Sequence, residues 1–251
     1  MSAAEVEKRI ASFVRDKAAA ADRLRGDPFQ SERLEAIWHR AAEGEEPTLN
    51  FEDMGWGDAD VEQLATAIKA DGGVPNGTLV SLASNAAITA AGVSSLATAL
   101  AARDVLGGLK ALDLRFCTAL AALPQSVAGL SSLETLDMSG CSGLSALPAL
   151  GSLLRLKTLW LLLCRKLGAL PESLPPALEE LDLSCCDGLN ALPASLPALE
   201  RLRVLNVSAC SRLSALPDLS ALSALELVVV DDAPLAEKWK AAGLMRASSE
   251  N

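Results

Sequence analysis

Six cysteines and one histidine, His39, are the residues of this 251-residue chain best suited to nucleophilic or metal chemistry. One histidine excludes histidine-rich metal sites, and any Ser-His-Asp relay would have to run through His39. Five of the cysteines, Cys117, Cys141, Cys164, Cys186 and Cys210, follow one another at gaps of 24, 23, 22 and 24. Zinc ligands come in close pairs, so this even spacing reads instead as one small buried residue per structural unit, with a weak S–H donor. Cys185 stands out of the row beside Cys186, near the end of a strand, where partial exposure is expected. A thiol nucleophile needs a neighbouring base, and His39 lies far upstream. Gly72-Gly73 and Gly107-Gly108 lack phosphate-binding spacing. Trp56-Gly57-Asp58-Ala59-Asp60 lacks the ligand spacing of a calcium loop, and Asp58 or Asp60 suits a helix N-cap better. The expectation is no catalytic residue, no metal and no cofactor.

A second ruler runs beside the cysteines. Leu123-Pro124, Leu147-Pro148, Leu170-Pro171, Leu192-Pro193 and Leu216-Pro217 repeat the gaps 24, 23, 22 and 24, each Pro seven places after its Cys. Two residue types sharing one irregular beat mark a tandem array. The unit is Leu-x-x-Leu-x-Leu-x-x-Cys-x-x-Leu-x-x-Leu-Pro, as in Leu133 to Pro148. It recurs from Leu109, Leu156, Leu178 and Leu202, with a truncated copy from Leu222. Upstream the beat lengthens to 31 residues from Phe51 to Leu82 and 32 from Leu82 to Leu114.

The short units resemble leucine-rich repeats, closely the plant-type form with Leu-Pro and a ladder Cys. The long units resemble ribonuclease-inhibitor-type repeats, with a helix after each strand. There Asn85 and Ile88 stand one residue further apart than the usual pattern, and the first copy has no clear ladder Asn. The resemblance covers about half the chain, from Leu109 to Val230, and implies a non-enzymatic recognition scaffold.

In Leu-x-Leu the leucines point one way and the middle residue the other. A strand this short cannot bury its face alone, so copies stack into a parallel sheet. The predicted fold is α/β: a right-handed leucine-rich repeat solenoid with a curved parallel sheet on the concave side and a helical N-terminal cap. Its convex side should change near Leu109 from helices to short 3₁₀ or extended segments, because units of 22 to 24 residues have no room for a helix and Pro disfavours one. The predicted boundaries are a helical cap over 1–47, two long repeats over 48–108, about six short repeats over 109–230, and a capping helix with a tail over 231–251. Within the cap, Ser2-x-x-Glu5 and Asp27-Pro28 are helix starts.

The net charge is −10, which disfavours nucleic acid and anionic membranes as ligands. No apolar run approaches the roughly 18 residues of a membrane span, and the first residues lack a secretory core, so an intracellular, cytoplasmic protein is expected, or an organellar one whose targeting segment was removed. The middle residues of Leu-x-Leu form one outward column: Asn50, Ser81, Asp113, Asp137, Trp160, Asp182, Asn206, Glu226. Two places later runs a second: Glu52, Ala83, Arg115, Ser139, Leu162, Ser184, Ser208, Val228. An exposed Trp among polar residues suits an interface anchor. The candidate partner-binding residues are therefore Asp113, Arg115, Asp137, Trp160, Leu162, Glu180, Asp182, Asn206 and Glu226, and the acids among them suit a protein or peptide with a basic surface. In the competing reading the acids only keep the face soluble and Trp160 packs on Arg115 or Lys157. A further alternative is a permanent structural subunit of a larger assembly, held by the helical cap or convex edge.

Overall fold

The computed structural model describes residues 48–71, 78–101 and 108–230. The expected amino-terminal cap, the expected terminal helix after Val230, and His39 lie outside the described residues.

Eight strands form one parallel sheet in chain order. They are β1 (Thr48–Asn50), β2 (Thr78–Ser81), β3 (Leu109–Asp113), β4 (Thr135–Asp137), β5 (Thr158–Trp160), β6 (Glu180–Asp182), β7 (Val204–Asn206) and β8 (Leu227–Val229). Sequential pairing of parallel strands with one crossover each is the topology of a solenoid, and the leucine-rich repeat architecture expected from the sequence is the one found. Register is held by one apolar residue per strand: Leu49, Val80, Leu112, Leu136, Leu159, Leu181, Leu205 and Val228 pair in succession. All but Leu49 of the edge strand are buried. Each such side chain contributes about 1.5–3 kcal/mol by leaving water, which three residues of backbone pairing cannot supply.

Behind β1 and β2 run helices α1 (Asp58–Asp71) and α2 (Ala90–Ala101). They pack side by side, and α1 turns Val61, Leu64, Ala65 and Ile68 to the core. Asp58 begins α1, yet its carboxylate caps α2, accepting from Thr89 N (2.8 Å), Thr89 Oγ1 (2.6 Å) and Gly92 N (3.1 Å). Burial pushes this carboxyl up, but those hydrogen bonds outweigh it and hold it below the usual range. Asp60 accepts from Gly57 N at 3.1 Å and caps α1 itself. Between β3 and β8 the outer side carries short 3₁₀ turns, Gln125–Gly129 and Leu196–Ala198, among extended segments. The change of outer layer falls where the Leu-Pro units begin.

Five residues past each core residue of β2 to β7 stands a buried polar side chain aimed at the preceding coil. The thiols of Cys117, Cys141, Cys164, Cys186 and Cys210 donate to the carbonyls of Leu82, Leu114, Met138, Leu161 and Leu183 at 3.0–3.4 Å. Asn85 holds the same place in the β2 unit, donating to the Phe51 and Leu82 carbonyls (both 2.8 Å) while its Oδ1 accepts from Trp56 N at 2.8 Å. Its separation from buried Ile88 equals that of Cys117 from Leu120, and the same three-residue hydrogen bond closes both turns. The apparent irregularity of that unit is therefore the spacing of its neighbours. In the first unit the place falls to Met54, packed against the core.

The residue before each ladder position has a left-handed backbone: Asp53, Ser84, Phe116, Gly140, Leu163, Cys185 and Ala209, with φ between 54° and 74°. Six of these seven carry a Cβ, so the turn conformation is imposed by the coil against local preference. Gly140 is the one position where a side chain meets a second obstacle, because a Cβ there would run into the ring of Phe116.

Asn85→Ala removes several hydrogen bonds from one buried site, whereas Cys141→Ala removes one weak donor. Urea denaturation should therefore give losses of about 2–4 kcal/mol for Asn85→Ala and about 1 kcal/mol for Cys141→Ala. Equal losses would show that the additional hydrogen bonds of Asn85 do not stabilise the coil.

Candidate functional site

The open face of the sheet is displayed by the residue that follows each core residue. Register places Asn50, Ser81, Asp113, Asp137, Trp160, Asp182, Asn206 and Val229 in that column. The last member corrects the sequence reading by three residues. Leu205 pairs with Val228, which is buried, so the final unit starts at Leu225 and not at Leu222. Glu226 leaves the column, and Val228 belongs to the core. The cause is the valine run, where three β-branched residues satisfy two registers of Leu-x-x-Leu-x-Leu equally well.

Glu226 joins a different row, two residues ahead of the core positions: Lys110, Glu134, Lys157, Glu179, Arg203, Glu226. Its charges alternate strictly. Lys157 Nζ lies 2.9 Å from Glu134 Oε2, and Arg203 Nη2 lies 3.0 Å from Glu226 Oε2. Such exposed pairs are worth about 0–1 kcal/mol each, and a slip by one coil would oppose like charges. The row is readable in the sequence once the register is right.

On the open face most members of the column share a local task. Each accepts a hydrogen bond from the backbone N–H two residues on, turning the chain from the strand into the left-handed position. Asn50 accepts from Glu52 N (2.9 Å), Ser81 from Ala83 N (3.4 Å), Asp113 from Arg115 N (3.0 Å) and Asp137 from Ser139 N (2.9 Å). Asp182 accepts from Ser184 N (2.8 Å) and Asn206 from Ser208 N (3.1 Å). The column is polar first because the turn needs an acceptor there. The sequence reading took these residues only as a surface and missed this task.

Trp160 is the exception. Its indole cannot accept, so the N–H of Leu162 has no partner among the described residues, and neither has its own indole N–H. The side chain is 38% exposed between Asp137 and Asp182, its strand neighbours on either side. Leu162 and Leu163 beside it are half-buried. Arg115 and Lys157, the two cations proposed to cover it, are engaged elsewhere. Lys157 pairs with Glu134. Arg115 forks onto Asp113 through Nε (2.9 Å) and Nη2 (2.8 Å), and its Nε is 3.5 Å from Asp137.

The two halves of the face differ electrically. Asp113 and Asp137 share Arg115. Burial raises Asp113, but the hydrogen bonds from Arg115 and Ser81 and the Arg115 charge more than reverse this, holding it below the usual carboxylate range. Asp137 is more nearly enclosed. Burial, joined by the Asp113 charge, keeps its carboxyl above the usual range despite Ser139 and Arg115. On the other side of Trp160, Asp182 receives hydrogen bonds from Ser184 and from Asn206 Nδ2 (3.2 Å), all neutral donors. Glu180, two residues earlier on the same strand face, is exposed. No ion pair reaches Asp182 or Glu180 among the described residues.

The cysteine row offers little chemistry. Burial pushes the thiols of Cys117, Cys141 and Cys186 up to about 12, and raises Cys164 and Cys210 as well. Thiols held protonated are poor nucleophiles. Cys185 is half-buried, in the left-handed turn position, which explains why it stands outside the row. Among the described residues no group of three or more His, Cys, Asp or Glu could hold a metal ion, and no helix is long and apolar enough to cross a membrane.

No protein-family model matches the chain, and no curated protein does. Among solved structures, the leucine-rich repeat domain of the type III effector XopL is 20% identical with a TM-score of 0.46, over 94% of this chain and 97% of that one. A leucine-rich repeat protein of Leptospira interrogans is 21% identical with a TM-score of 0.39, over 73% of this chain and 48% of that one. The chain thus spans about half of the Leptospira protein's length.

If Trp160 is kept against the needs of the turn, an acceptor in its place should improve the fold. Trp160→Asn should raise the urea midpoint, by up to about 1 kcal/mol of added stability. A loss as large as that of a core Leu→Ala, about 2–5 kcal/mol, would show that Trp160 is part of the packing. Separately, an Ellman titration of the native protein should modify Cys185 first and leave the five ladder thiols protected until denaturant is added. Early reaction of any ladder cysteine would contradict the buried row.

Proposed function

We propose that this chain is a non-enzymatic protein-interaction module, holding a protein or peptide with a basic surface on the open, concave face of its sheet around Trp160. We also read its two long units as ribonuclease-inhibitor-type repeats and its short units as plant-type ones. The observation that carries the functional reading is the break at Trp160. In a column whose other described polar members all supply a turn acceptor, this one supplies a large exposed apolar ring and leaves a backbone donor open. A side chain that costs the fold a hydrogen bond and stays wet is kept for something it touches outside the coil.

The surroundings fit that role. Asp137 and Asp182 flank the ring, and Leu162 extends its apolar area. Asp113, Arg115, Glu180 and Asn206 form a polar rim, the arrangement of anchor and rim found in specific interfaces. The acids give a basic partner faster encounter and a preferred orientation. Nucleic acid is disfavoured by the same charges, and the enclosed, protonated ladder thiols speak against thiol catalysis.

The test is capture from native extract with the wild-type chain, Trp160→Ala and Asp182→Lys. Truncating a central anchor costs roughly 2 kcal/mol or more, a fall of about 30-fold in affinity, so Trp160→Ala should lose the partner at near-stoichiometric concentrations. Asp182→Lys should slow association most at low salt. Retention of every partner by both variants would move the interface off this face, to the convex edge or the helical cap of a permanently assembled subunit.

A further inference from the structure

This inference rests on the reading just given and names the chemistry of the occupant. We propose that the face binds an extended basic peptide through one arginine side chain. Its guanidinium lies on the Trp160 indole and donates to Asp182 with Glu180 alongside, while a carbonyl of the same peptide accepts from the Leu162 N–H.

Three features select that occupant. The first is the uneven neutralisation of the acids. On one side of Trp160, Asp113 and Asp137 already hold a guanidinium, that of Arg115, at 2.8 and 3.5 Å. On the other side, Asp182 meets only neutral donors and neither it nor Glu180 is in an ion pair among the described residues, although Arg203 feels the charge of Glu180, so the charge of Asp182 above all is left for a cation from outside. The second is geometry. Trp160 and Asp182 are register partners on adjacent strands, about 4.8 Å apart in a sheet. A planar cation can lie flat on the ring and still direct its in-plane N–H groups sideways to the carboxylate. A compact, strongly hydrated ammonium reaches one or the other less well. The third is the pair of unused donors, the Leu162 N–H and the Trp160 indole N–H. A free guanidinium or polyamine has nothing to offer them, but a peptide backbone carries carbonyl acceptors beside its side chain.

The probe is a capped peptide, acetyl-Ala-Ala-Arg-Ala-Ala-amide, titrated into the ¹⁵N-labelled full chain and followed by ¹H–¹⁵N correlation spectra. The same peptide with Lys and with citrulline, the uncharged isostere of Arg, gives the comparison. The indole cross-peak of Trp160, identified by its absence in Trp160→Phe, and the Leu162 amide should both move. The arginine peptide should bind at least about 3-fold more tightly than the lysine peptide and about 10-fold more tightly than the citrulline peptide. Asp182→Asn keeps the acceptor for the Ser184 N–H and removes the charge, so it should erase the preference over citrulline while leaving the fold intact. Equal binding of the arginine and citrulline peptides, or no movement of the two cross-peaks at millimolar peptide, overturns the proposal. If that happens while Trp160→Ala still loses the natural partner, the interface stands and only its chemistry is wrong. If capture is also unchanged, the interface itself falls.

Discussion

A strand of three residues flanked by long turns has almost no stability of its own, so each coil depends on the two coils beside it. Two interactions carry that dependence. One is the file of apolar residues from Val80 to Val228, buried and paired strand to strand. The other is the polar file from Asn85 through Cys210, which reaches back to satisfy carbonyls of the previous coil. The first supplies most of the free energy and the second excludes other arrangements, because a buried carbonyl left unpaired costs about 1–3 kcal/mol. Together they explain why Asn and Cys can hold equivalent places. The site demands a short side chain with a donor, and Asn meets it with four bonds where Cys makes one weak bond.

Once both files are fixed, the rest of the coil has limited freedom. The chain must turn sharply between strand and ladder, which forces a left-handed residue at Phe116, Leu163, Cys185 and their equivalents. That turn in turn asks for an acceptor at the first outward position, which is why Asp113, Asp137, Asp182 and Asn206 are polar. An acidic face can thus arise from a local hydrogen-bonding need before any partner is considered. This weakens the simplest argument from charge, since Asp and Asn are both present for the turn. What the turn does not explain is the choice of Asp over Asn beside Trp160, or the presence of Glu180, whose position makes no turn bond.

The architecture was legible in the sequence because the periodic residues are the ones that pack. Two independent rulers, Cys and Leu-Pro, located the five coils from β3 to β7 to the residue, and the shift from helices to 3₁₀ turns followed from unit length and proline. The reading failed where a coil loses its markers. Beyond Leu216-Pro217 no cysteine follows, and Leu225-Glu226-Leu227-Val228-Val229-Val230 fits the motif in two frames. Only pairing with Leu205 decides between them. The open face was legible as a list of positions but not as interactions. Which acid holds Arg115, and that a side chain closes the turn beneath it, depend on distances that no spacing rule contains.

Trp160 draws its meaning from this contrast. In an irregular protein one exposed Trp is unremarkable, because no rule says what should stand in its place. A repeat supplies that rule, since six equivalent positions show what the coil requires. The departure at Trp160 is therefore measured against internal controls that share its backbone geometry. It leaves the Leu162 N–H without an acceptor and an apolar ring in water, two costs at one coil. A neutral drift in the array would replace one acceptor by another, or by a small residue. A change that incurs both costs at mid-sheet, beside an Asp182 that no ion pair neutralises among the described residues, has its compensation outside the coil, on the one face where a partner would meet the ring, the open N–H and that carboxylate together.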